Sequence, residues 1–352
     1  MKISFICDTM NAGGAERVIS ILSNEFAALG NDVSIVALSR EASVSFYPLH
    51  PSINFIKFDD FLSNKRFFVR KVFALRRLLL AEQPDIVISF LSYVCIYTCF
   101  ALRGTKIPYI VSERNNPYVR SRFKQFLLNY SFKKASGCVF QTEDAEKFYK
   151  KYVRANSRII FNPVNLPNEL LNKRVEKKDK IISVGRLVEQ KNYFLLIDAF
   201  EMFLEKNPSF ILKIYGEGVL YKELLHYIEQ KGLLTKIQLC GHNLTWHSDE
   251  QDSKLYALSS KYEGMPNGLA EALCLGITSV STDIPIGGPK QLKKHFRNLF
   301  LCSSMDAADF AQTMEEAIHM KDLNPEIPDV LKVSFVIKEW LELINKILVE
   351  KQ

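Results

Sequence analysis

Two acidic residues beside a turn rich in glycine, proline and asparagine have the types and spacing to bind a sugar. Glu263 lies in the segment YEGMPNGLAEAL, and Glu271 follows after seven intervening residues. The pattern predicts an apolar strand, a turn that holds Glu263, and a helix with Glu271 about one turn in. A carboxylate can accept two hydrogen bonds from a vicinal diol, and the free N–H groups of a helix start can hold an anion. Alone, the pair also fits an ordinary helix start with favourable acidic neighbours.

Two cations upstream have the charge that a diphosphate requires. Arg186 follows Gly185 at the end of a predicted strand, and Lys191 precedes a predicted helix. The carboxyl ends of parallel strands meet at one edge of a sheet, so both cations can face one cleft. A departing nucleotide diphosphate develops negative charge that a cation pair stabilises. Two solvated loop cations are the alternative interpretation.

Two pairs of glycines also follow predicted strands. Gly13 and Gly14 come after the first strand, and Gly216 and Gly218 lie in the segment YGEG. Glycine lets the backbone approach a ligand closely. Each pair would also serve as a simple tight turn.

Taken together, these segments resemble glycosyltransferase family 4, a large family of retaining enzymes with the GT-B fold. The match follows the order and spacing of the family over nearly the whole chain. The segments are NAGGAERV at 11–18, SERNNP at 112–117, CVFQTEDAEKFY at 138–149, FNPV at 161–164, VGRLVEQKN at 184–192, YGEG at 215–218, SSKYEGMPNGLAEAL at 259–273 and TDIPIGGPKQL at 282–292. The resemblance implies an α/β protein with two Rossmann-like doubly wound domains facing a central cleft.

The resemblance also implies a role for each donor-site residue. Arg186 and Lys191 would neutralise the donor diphosphate, and Glu263 would meet the donor sugar. Glu271 would hold the ribose hydroxyls. The remaining donor-binding positions would act through their backbone: Gly14, Gly185, Gly216, Gly218, Gly264, Met265, Pro266, Asn267, Gly268 and Leu269.

On the acceptor side, the resemblance points to Gly13, Glu113 and Arg114. Several family members carry a histidine near the position of Arg114. An arginine cannot accept a proton near neutral pH. Arg114 is therefore expected to contact a phosphate or the acceptor, or to pair with an acid.

The implied reaction moves a hexose or N-acetylhexosamine from a nucleotide-sugar to a glycan acceptor in surface polysaccharide or glycolipid biosynthesis. The chain has no Asp-x-Asp pair of the kind that holds a metal–nucleotide complex. No metal and no other cofactor are therefore expected, since basic side chains and helix N-termini replace the ion in the family. The motifs are most similar to those of transferases acting on lipid-linked oligosaccharides, which implies a UDP-linked donor and a polyprenyl-diphosphate-linked acceptor.

Alternating apolar strands and helices predict two parallel sheets covered by helices. Two prolines near residue 163 suggest the boundary between domains at 1–162 and 163–334, followed by a helix at 335–352 that packs outside or returns to the first domain. The predicted strands are 2–7, 32–38, 86–91, 109–113 and 137–142, then 180–187, 211–218, 236–241, 254–260 and 277–282. The predicted helices include 15–29, 192–206, one beginning near 221, and 335–348.

Bulk composition fits a protein of two ordinary domains. The chain has 352 residues, 47% hydrophobic and 24% charged. Its seven cysteines are scattered and odd in number, which predicts buried thiols in a reducing compartment. Neither a signal peptide nor an apolar run of about 18–20 residues is present, so a cytoplasmic protein is expected.

Charge is unevenly distributed. Residues 1–162 hold 23 Lys and Arg against 13 Asp and Glu, a balance of +10, while the remainder of the chain balances at −3. Basic and aromatic residues alternate in two stretches, 63–80 and 114–134. Such helices can lie on an anionic membrane at the inner face of the cell, although two ordinary surface helices are the alternative. No nucleic-acid motif accompanies the charge. The basic residues are Lys65, Arg66, Arg70, Lys71, Arg76, Arg77, Arg114, Arg120, Arg122, Lys124 and Lys133.

Two other functions fit the sequence less well. A Rossmann oxidoreductase would need G-x-G-x-x-G after the first strand, and the chain lacks it there. A catalytically silent scaffold with this fold is disfavoured because Arg186, Lys191, Glu263 and Glu271 are all present.

Overall fold

The computed structural model describes residues 1–39, 45–58, 68–114, 117–154, 156–173 and 175–350. These residues fall into two units. One comprises Met1–Pro163 together with Val330–Gln352, and the other comprises Val164–Asp329. The first unit is therefore built from both ends of the chain.

The first unit is a parallel sheet covered by helices. Its seven strands lie in the order β3-β2-β1-β4-β5-β6-β7, and every described pair is parallel. The strands are β1 Lys2–Cys7, β2 Asp32–Ala37, β3 Asn54–Lys57, β4 Ile86–Phe90, β5 Tyr109–Ser112, β6 Gly137–Phe140 and β7 Asn156–Ile159. The helices between them are α1 Gly14–Ala28, α2 Phe68–Glu82, α3 Ser92–Ala101, α4 Arg122–Lys134 and α5 Glu143–Tyr149.

The central strands of this sheet are apolar on both faces. Five of the six residues of β1 are buried, as are all five of β4. Continuous burial is typical of parallel strands that have helices on each side. Alternate residues of β1, Ile3 and Phe5, share one core with α1, while α3 packs on β4 and β5 and lies between α2 and α4.

The second unit repeats this plan with six parallel strands in the order β10-β9-β8-β11-β12-β13. Its main core joins the sheet to three helices, Tyr193–Leu204, Tyr221–Gln230 and Ala307–Ile318, of which the first and the last pack on each other. The strands are β8 Lys178–Val184, β9 Ile211–Tyr215, β10 Ile237–Gly241, β11 Ser253–Leu258, β12 Thr278–Thr282 and β13 Leu299–Cys302. The helices are α6 Asn168–Leu171, α7 Tyr193–Leu204, α8 Tyr221–Gln230, α9 Trp246–Asp249, α10 Asn267–Cys274, α11 Gly288–Lys293 and α12 Ala307–Ile318.

The predicted fold class of two parallel α/β domains is confirmed, although three strands were missed. β3, β7 and β13 are absent from the predicted set, and each lies at the edge of its sheet. An edge strand has one neighbour and is only partly buried, so its apolar pattern is weak. β7, for example, has no fully buried residue.

The last helix, α13 Val333–Val349, belongs to the core of the first unit. Its apolar residues recur at helical spacing from Val336 to Ile347 and pack with β1 and α1. Trp340 is fully buried, and its ring stacks on Phe90 at a centroid distance of 6.0 Å. The helix begins two residues before the predicted start.

Two further properties concern membranes and thiols. Within the described ranges, none of the helices combines the length and apolar character needed to cross a bilayer. All seven cysteines are free thiols. Six are buried as predicted, but Cys240 is only half-buried because it lies on the edge strand β10.

Replacing Trp340 with alanine tests how far the first unit depends on α13. Removing a fully buried tryptophan leaves a large cavity, so Trp340→Ala should lower the free energy of unfolding by about 3–5 kcal/mol. Urea unfolding followed by circular dichroism measures the change. Phe335→Ala, on the same helix but 37% exposed, is the matched control and should cost far less. Equal losses in the two variants would contradict a core role for α13.

Candidate active site

A short turn and a loop lie side by side after β8 and β11 of the second unit. Residues Glu189–Lys191 form a 3-10 turn, and the loop spans 259–266. The amine of Lys191 donates to Oε1 of Glu263 at 2.6 Å, and the Ser260 hydroxyl donates to the same oxygen at 2.8 Å. The side chains of the Lys191–Glu263 pair are 15% and 11% exposed. A cation and a carboxylate are therefore held together in a mostly desolvated place.

Further hydrogen bonds fix the turn to the loop. The Lys261 amide donates to the Gln190 carbonyl at 2.8 Å, and the Gln190 side-chain amide donates to the Tyr262 carbonyl at 2.8 Å. The Ser259 hydroxyl donates to the Lys191 carbonyl at 2.9 Å. Lys191 and Glu263 thus belong to segments whose backbones are joined directly.

Gly185 makes room for the lysine of this pair. A Cβ atom at Gly185 would lie 2.7 Å from Cε of Lys191, so the lysine side chain crosses the space that a larger residue would occupy. Arg186, the next residue, is exposed. The two predicted cations therefore differ, since Lys191 is neutralised by Glu263 while Arg186 faces solvent.

The glycines of YGEG lie against the backbone that follows β8. A Cβ atom at Gly216 would lie 1.9 Å from the Gly185 carbonyl oxygen, and one at Gly218 would lie 2.3 Å from the Leu187 carbonyl oxygen. Gly216 also has φ +146°, a conformation that L side chains rarely adopt. Both glycines therefore permit close contact between the loops after β8 and β9.

The turn before α10 is packed just as closely. A Cβ atom at Gly288 would lie 1.7 Å from the Gly264 carbonyl oxygen and 3.1 Å from Cδ of Pro266. Pro266 precedes α10 and has extended φ and ψ angles of −76° and 110°. The start of α11 therefore fixes the path of the turn that carries Glu263.

Buried residues hold α10 in place at its N-terminus. Met265 and Leu269 are 5% and 0% exposed, so any contact they make with a ligand would come from the backbone. Asn267, the first helical residue, and Gly268 are partly exposed. A Cβ atom at Gly268 would lie 2.8 Å from the Tyr256 hydroxyl, which brings this part of the helix close to β11.

Glu271 is paired with a histidine that the sequence did not single out. Oε2 of Glu271 lies 2.8 Å from Nε2 of His247, and the two residues are 3% and 7% exposed. His247 lies in α9, after β10. The second glutamate, like the first, thus has a nitrogen partner in a neighbouring loop.

Tyr256 lies close to both glutamates. Burial raises the pKa of its hydroxyl well above the usual value, and the nearby Tyr193 hydroxyl and the Glu271 and Glu263 carboxylates raise it further. The hydroxyl donates to the Val184 carbonyl at 3.4 Å. The turn acid and the helix acid therefore both lie near one buried tyrosine of β11.

In the first unit, Gly13 and Gly14 lie at the start of α1. Gly13 is the N-cap, and its carbonyl accepts hydrogen bonds from the Arg17 amide at 3.0 Å and the Tyr47 hydroxyl at 3.1 Å. A Cβ atom at Gly13 would lie 2.2 Å from a carboxylate oxygen of Glu16. The glycine therefore lets the acid fold back over the helix start.

Glu113 and Arg114 follow β5 and are both buried. Glu113 pairs with Arg120 at 2.9 Å and accepts from the Arg114 amide at 2.9 Å. Arg114 donates to the Asn162 side chain and to the Ser112 hydroxyl. The two residues predicted for the acceptor side thus anchor one polar cluster at the carboxyl edge of the sheet.

Arg114 is a buried cation, and one nitrogen of its guanidinium makes no hydrogen bond within the described residues. Its guanidinium lies 4.3 Å above the Phe90 ring, and within the described residues its Nη2 atom has no hydrogen-bond partner. Burial lowers the pKa of Arg114 to about 9, against the opposing effect of Glu113, so the group stays charged at neutral pH. Next to Phe90, Leu91 has φ 73° and ψ 149°, a strained conformation for leucine.

Several residues of these sites were missed by sequence reasoning. Each is a common polar residue with no motif of its own, and only the fold brings it to the predicted positions. Ser260 does lie in the quoted motif, next to Glu263, and so could have been chosen. The missed residues are His247, Tyr256, Ser260, Arg120, Gln141 and Asn162.

Comparisons with known proteins identify the family and the fold of this chain. Residues 12–167 match the family model described as Glycosyltransferase Family 4, and residues 171–328 match that described as Glycosyl transferases group 1. A Campylobacter jejuni protein is 28% identical over 99% of both chains. It is the GalNAc-alpha-(1->4)-GalNAc-alpha-(1->3)-diNAcBac-PP-undecaprenol alpha-1,4-N-acetyl-D-galactosaminyltransferase.

Two solved structures have the same fold. A Staphylococcus aureus TarM variant in complex with UDP superposes with a TM-score of 0.79 at 16% identity, covering 98% of this chain and 100% of that one. Anabaena HepE in complex with UDP gives 0.77 at 16% identity, with the same coverage. The fold and these matches define a glycosyltransferase of the GT-B class. The chain belongs to glycosyltransferase family 4, which leaves the oxidoreductase alternative without support.

The close contact at Gly216 can be tested by adding one methyl group. Gly216→Ala places Cβ against a backbone oxygen that cannot rotate away, so we expect a loss of at least about 3 kcal/mol in the free energy of unfolding. Gly232→Ala is the matched control, because Gly232 also has positive φ but open space around it. The control should cost about 1 kcal/mol. Equal losses, measured by urea unfolding, would mean that backbone strain and not the contact decides the effect.

Proposed function

We propose that this glycosyltransferase moves a hexose or N-acetylhexosamine from a UDP-linked donor to a lipid-linked glycan in surface polysaccharide or glycolipid biosynthesis. The observation that carries the proposal is the Lys191–Glu263 pair at 2.6 Å, which joins the turn after β8 to the loop between β11 and α10. A diphosphate needs a cation and a sugar needs a hydrogen-bond acceptor. This pair supplies both side by side.

The donor roles follow from where each group lies. Arg186, exposed after β8, and Lys191 would neutralise the diphosphate. Glu263, with one oxygen already held by Lys191 and Ser260, would accept from a sugar hydroxyl. Glu271 would accept from the ribose. The backbone positions would be Gly14, Gly185, Gly216, Gly218 and the turn Gly264, Met265, Pro266, Asn267, Gly268 and Leu269.

The reaction proposed is transfer with retention at the anomeric carbon. The bond between that carbon and the diphosphate oxygen breaks, and a bond to the acceptor oxygen forms on the same face. The departing phosphate takes the proton of the acceptor hydroxyl, so the protein needs no base of its own. Lys191 and Arg186 would stabilise the charge that grows on the leaving group. No metal is needed in this scheme.

The comparisons favour UDP and a lipid-linked acceptor. TarM and HepE were both solved with UDP. The C. jejuni relative acts on an oligosaccharide carried by undecaprenol diphosphate, and it matches along 99% of this chain. A polyprenyl-diphosphate acceptor carries negative charge, which suits the basic first unit.

Acceptor contacts are assigned to Gly13, Glu113 and Arg114. The buried guanidinium of Arg114 suits an oxyanion or a hydroxyl of the acceptor, because its Nη2 donor has no partner within the described residues. Glu113 holds Arg120 and the Arg114 backbone, which keeps the cluster in place. A silent scaffold would have no use for a desolvated ion pair and a buried arginine at the two predicted places.

A lipid-linked acceptor implies a membrane-facing surface, which we place on α2 and α4 of the first unit. Both helices expose aromatic rings between cations, as an interfacial helix does. Residues 63–67 of the first basic stretch and residues 115–116 of the second lie outside the described residues. This surface, here called the basic apolar face, comprises Arg70, Phe73, Arg77, Arg122, Phe123, Lys124 and Phe126. A cytoplasmic enzyme resting on the inner leaflet would place these residues at the lipid headgroups.

Donor binding is tested first in the wild-type protein. A ligand at 100 times its Kd stabilises the folded state by about 2.7 kcal/mol, so a UDP-sugar should raise the melting temperature by roughly 5 °C or more. Thermal-shift measurements with UDP-, GDP- and ADP-sugars identify which nucleotide the protein binds. Stabilisation by none of them would reject the proposed activity.

The role of the Lys191–Glu263 ion pair is tested by measuring sugar transfer. Glu263→Gln keeps the size of the side chain but removes its charge, so turnover should fall by about a hundredfold or more. Glu189→Gln is the matched control, because Glu189 also pairs with a lysine, Lys261, in the same turn and loop but is largely exposed. Transfer rates with a labelled UDP-sugar distinguish the two. An unchanged rate in Glu263→Gln would remove Glu263 from the site.

Membrane binding is tested by flotation. The protein should rise with phosphatidylcholine vesicles that contain phosphatidylglycerol and stay down with phosphatidylcholine alone, since each basic residue near an anionic surface contributes about 1 kcal/mol. Replacing Phe73, Phe123 and Phe126 with serine should abolish flotation.

The control replaces three exposed apolar residues of the second unit, Met202, Val219 and Leu244, with serine. That variant should float like the wild type. Wild-type protein that remains in solution at every phosphatidylglycerol content would exclude the membrane surface as a partner.

A further inference from the structure

The Glu271 carboxylate is hydrogen-bonded to His247, which lies in a separate segment, the short helix α9. The distance of 2.8 Å between Nε2 of His247 and Oε2 of Glu271 is that of a charge-assisted hydrogen bond. Both residues are more than nine-tenths buried. We infer that His247 is a positioning residue, which sets the Glu271 carboxylate so that the site selects a ribose over a 2′-deoxyribose. The inference rests on the proposed nucleotide donor.

The direction of the hydrogen bond follows from its partners. An ionised carboxylate can only accept, so Nε2 of His247 must carry the proton that is donated. That contact fixes one carboxylate oxygen and the plane of the group. An ionised carboxylate offers about four acceptor positions, so the histidine contact is compatible with hydrogen bonds from a vicinal diol.

The loop around His247 is braced at its N-terminal side. Trp246 is 3% exposed, and its ring lies on the His247 ring with centroids 4.2 Å apart. The Asn243 side chain accepts from the Thr245 amide at 2.7 Å and donates to Asp249 at 2.7 Å. The imidazole therefore cannot swing away without disrupting the packing of the loop.

The other side of the loop is anchored through a buried acid. Glu250 directly follows α9 and accepts hydrogen bonds from Lys180 and Lys213 at 2.7 Å each, and from the Tyr215 hydroxyl at 2.5 Å. Although burial raises the pKa of Glu250, these donors lower it below its usual value, so the carboxylate stays charged at neutral pH. The hydrogen bonds of Glu250 therefore connect the segment that carries His247 to β8 and β9.

Positioning of this kind has a consequence for specificity. A carboxylate held in one orientation accepts well-aligned hydrogen bonds from both ribose hydroxyls, and a mobile one does not. A hydrogen bond to a charged group is worth roughly tenfold or more in affinity. The wild-type protein should therefore bind UDP roughly tenfold more tightly than 2′-deoxy-UDP, and this preference should depend on His247.

Calorimetric titration of the full chain with UDP and 2′-deoxy-UDP tests the inference. His247→Leu removes the donor, so the preference should fall below about threefold, because UDP loses two well-oriented ribose contacts and 2′-deoxy-UDP loses only one. His247→Gln can place an N–H near Nε2 and should keep most of the preference. In the transfer assay, His247→Leu should raise the KM for the donor with kcat within about threefold, because the ribose contact is equal in ground and transition states.

The outcomes separate this inference from the proposed donor class. Equal losses for both nucleotides in His247→Leu, or an unchanged preference, would overturn the positioning role while leaving UDP binding intact. If His247→Leu does not fold, His247→Asn replaces it, because asparagine is one methylene shorter than glutamine and should not reach Glu271. Wild-type protein that binds neither nucleotide would reject the donor class and this inference with it.

Discussion

The second unit depends on direct backbone contact between loops at the carboxyl edge of its sheet. The ladder of hydrogen bonds continues past the strands, from the Gly185 amide to the Tyr215 carbonyl and from the Leu187 amide to the Glu217 carbonyl. Such contact is possible only where no Cβ intervenes, which explains the glycines at 216 and 218. Since the loops touch, the cation of one and the carboxylate of the next are brought into one small, mostly dry space. Coulombic attraction is strong there, because little water screens it.

Most of the fold could be predicted from the spacing of apolar residues and from the glycines and prolines that mark turns. Central strands such as β1 and β4 are continuous apolar runs, and the helices that cover them have the spacing of an amphipathic face. Three of the four edge strands, β3, β7 and β13, could not be found this way, because a strand with one open side needs fewer apolar residues. Helix ends were misplaced by one or two residues for a similar local reason. Asn192, for instance, was predicted as helical but has a left-handed conformation, with φ 53° and ψ 46°.

The candidate site was only partly accessible from the sequence. Lys191 and Glu263 could be named because a motif surrounds each, but the motif does not state that they neutralise each other or that Gly185 lies beneath the lysine. His247 could not be named, since a histidine in a polar loop 24 residues from Glu271 has no pattern that links it to an acid. Such residues are brought together only by the side-by-side pairing of parallel strands, which places β10 and β11 in the same sheet.

The membership of α13 in the first unit has a consequence for how the chain is made. Domains generally fold as they leave the ribosome, the N-terminal one first. Here Phe5 and Phe90 emerge early, but Trp340, which packs on Phe90, is translated only after the whole second unit. The second unit is contiguous in sequence and takes roughly 10–30 s to synthesise at ordinary elongation rates. During that time the core formed by β1, β4 and α1 lacks the apolar side chains of α13, so the order of completion is reversed: the first unit finishes folding after the second.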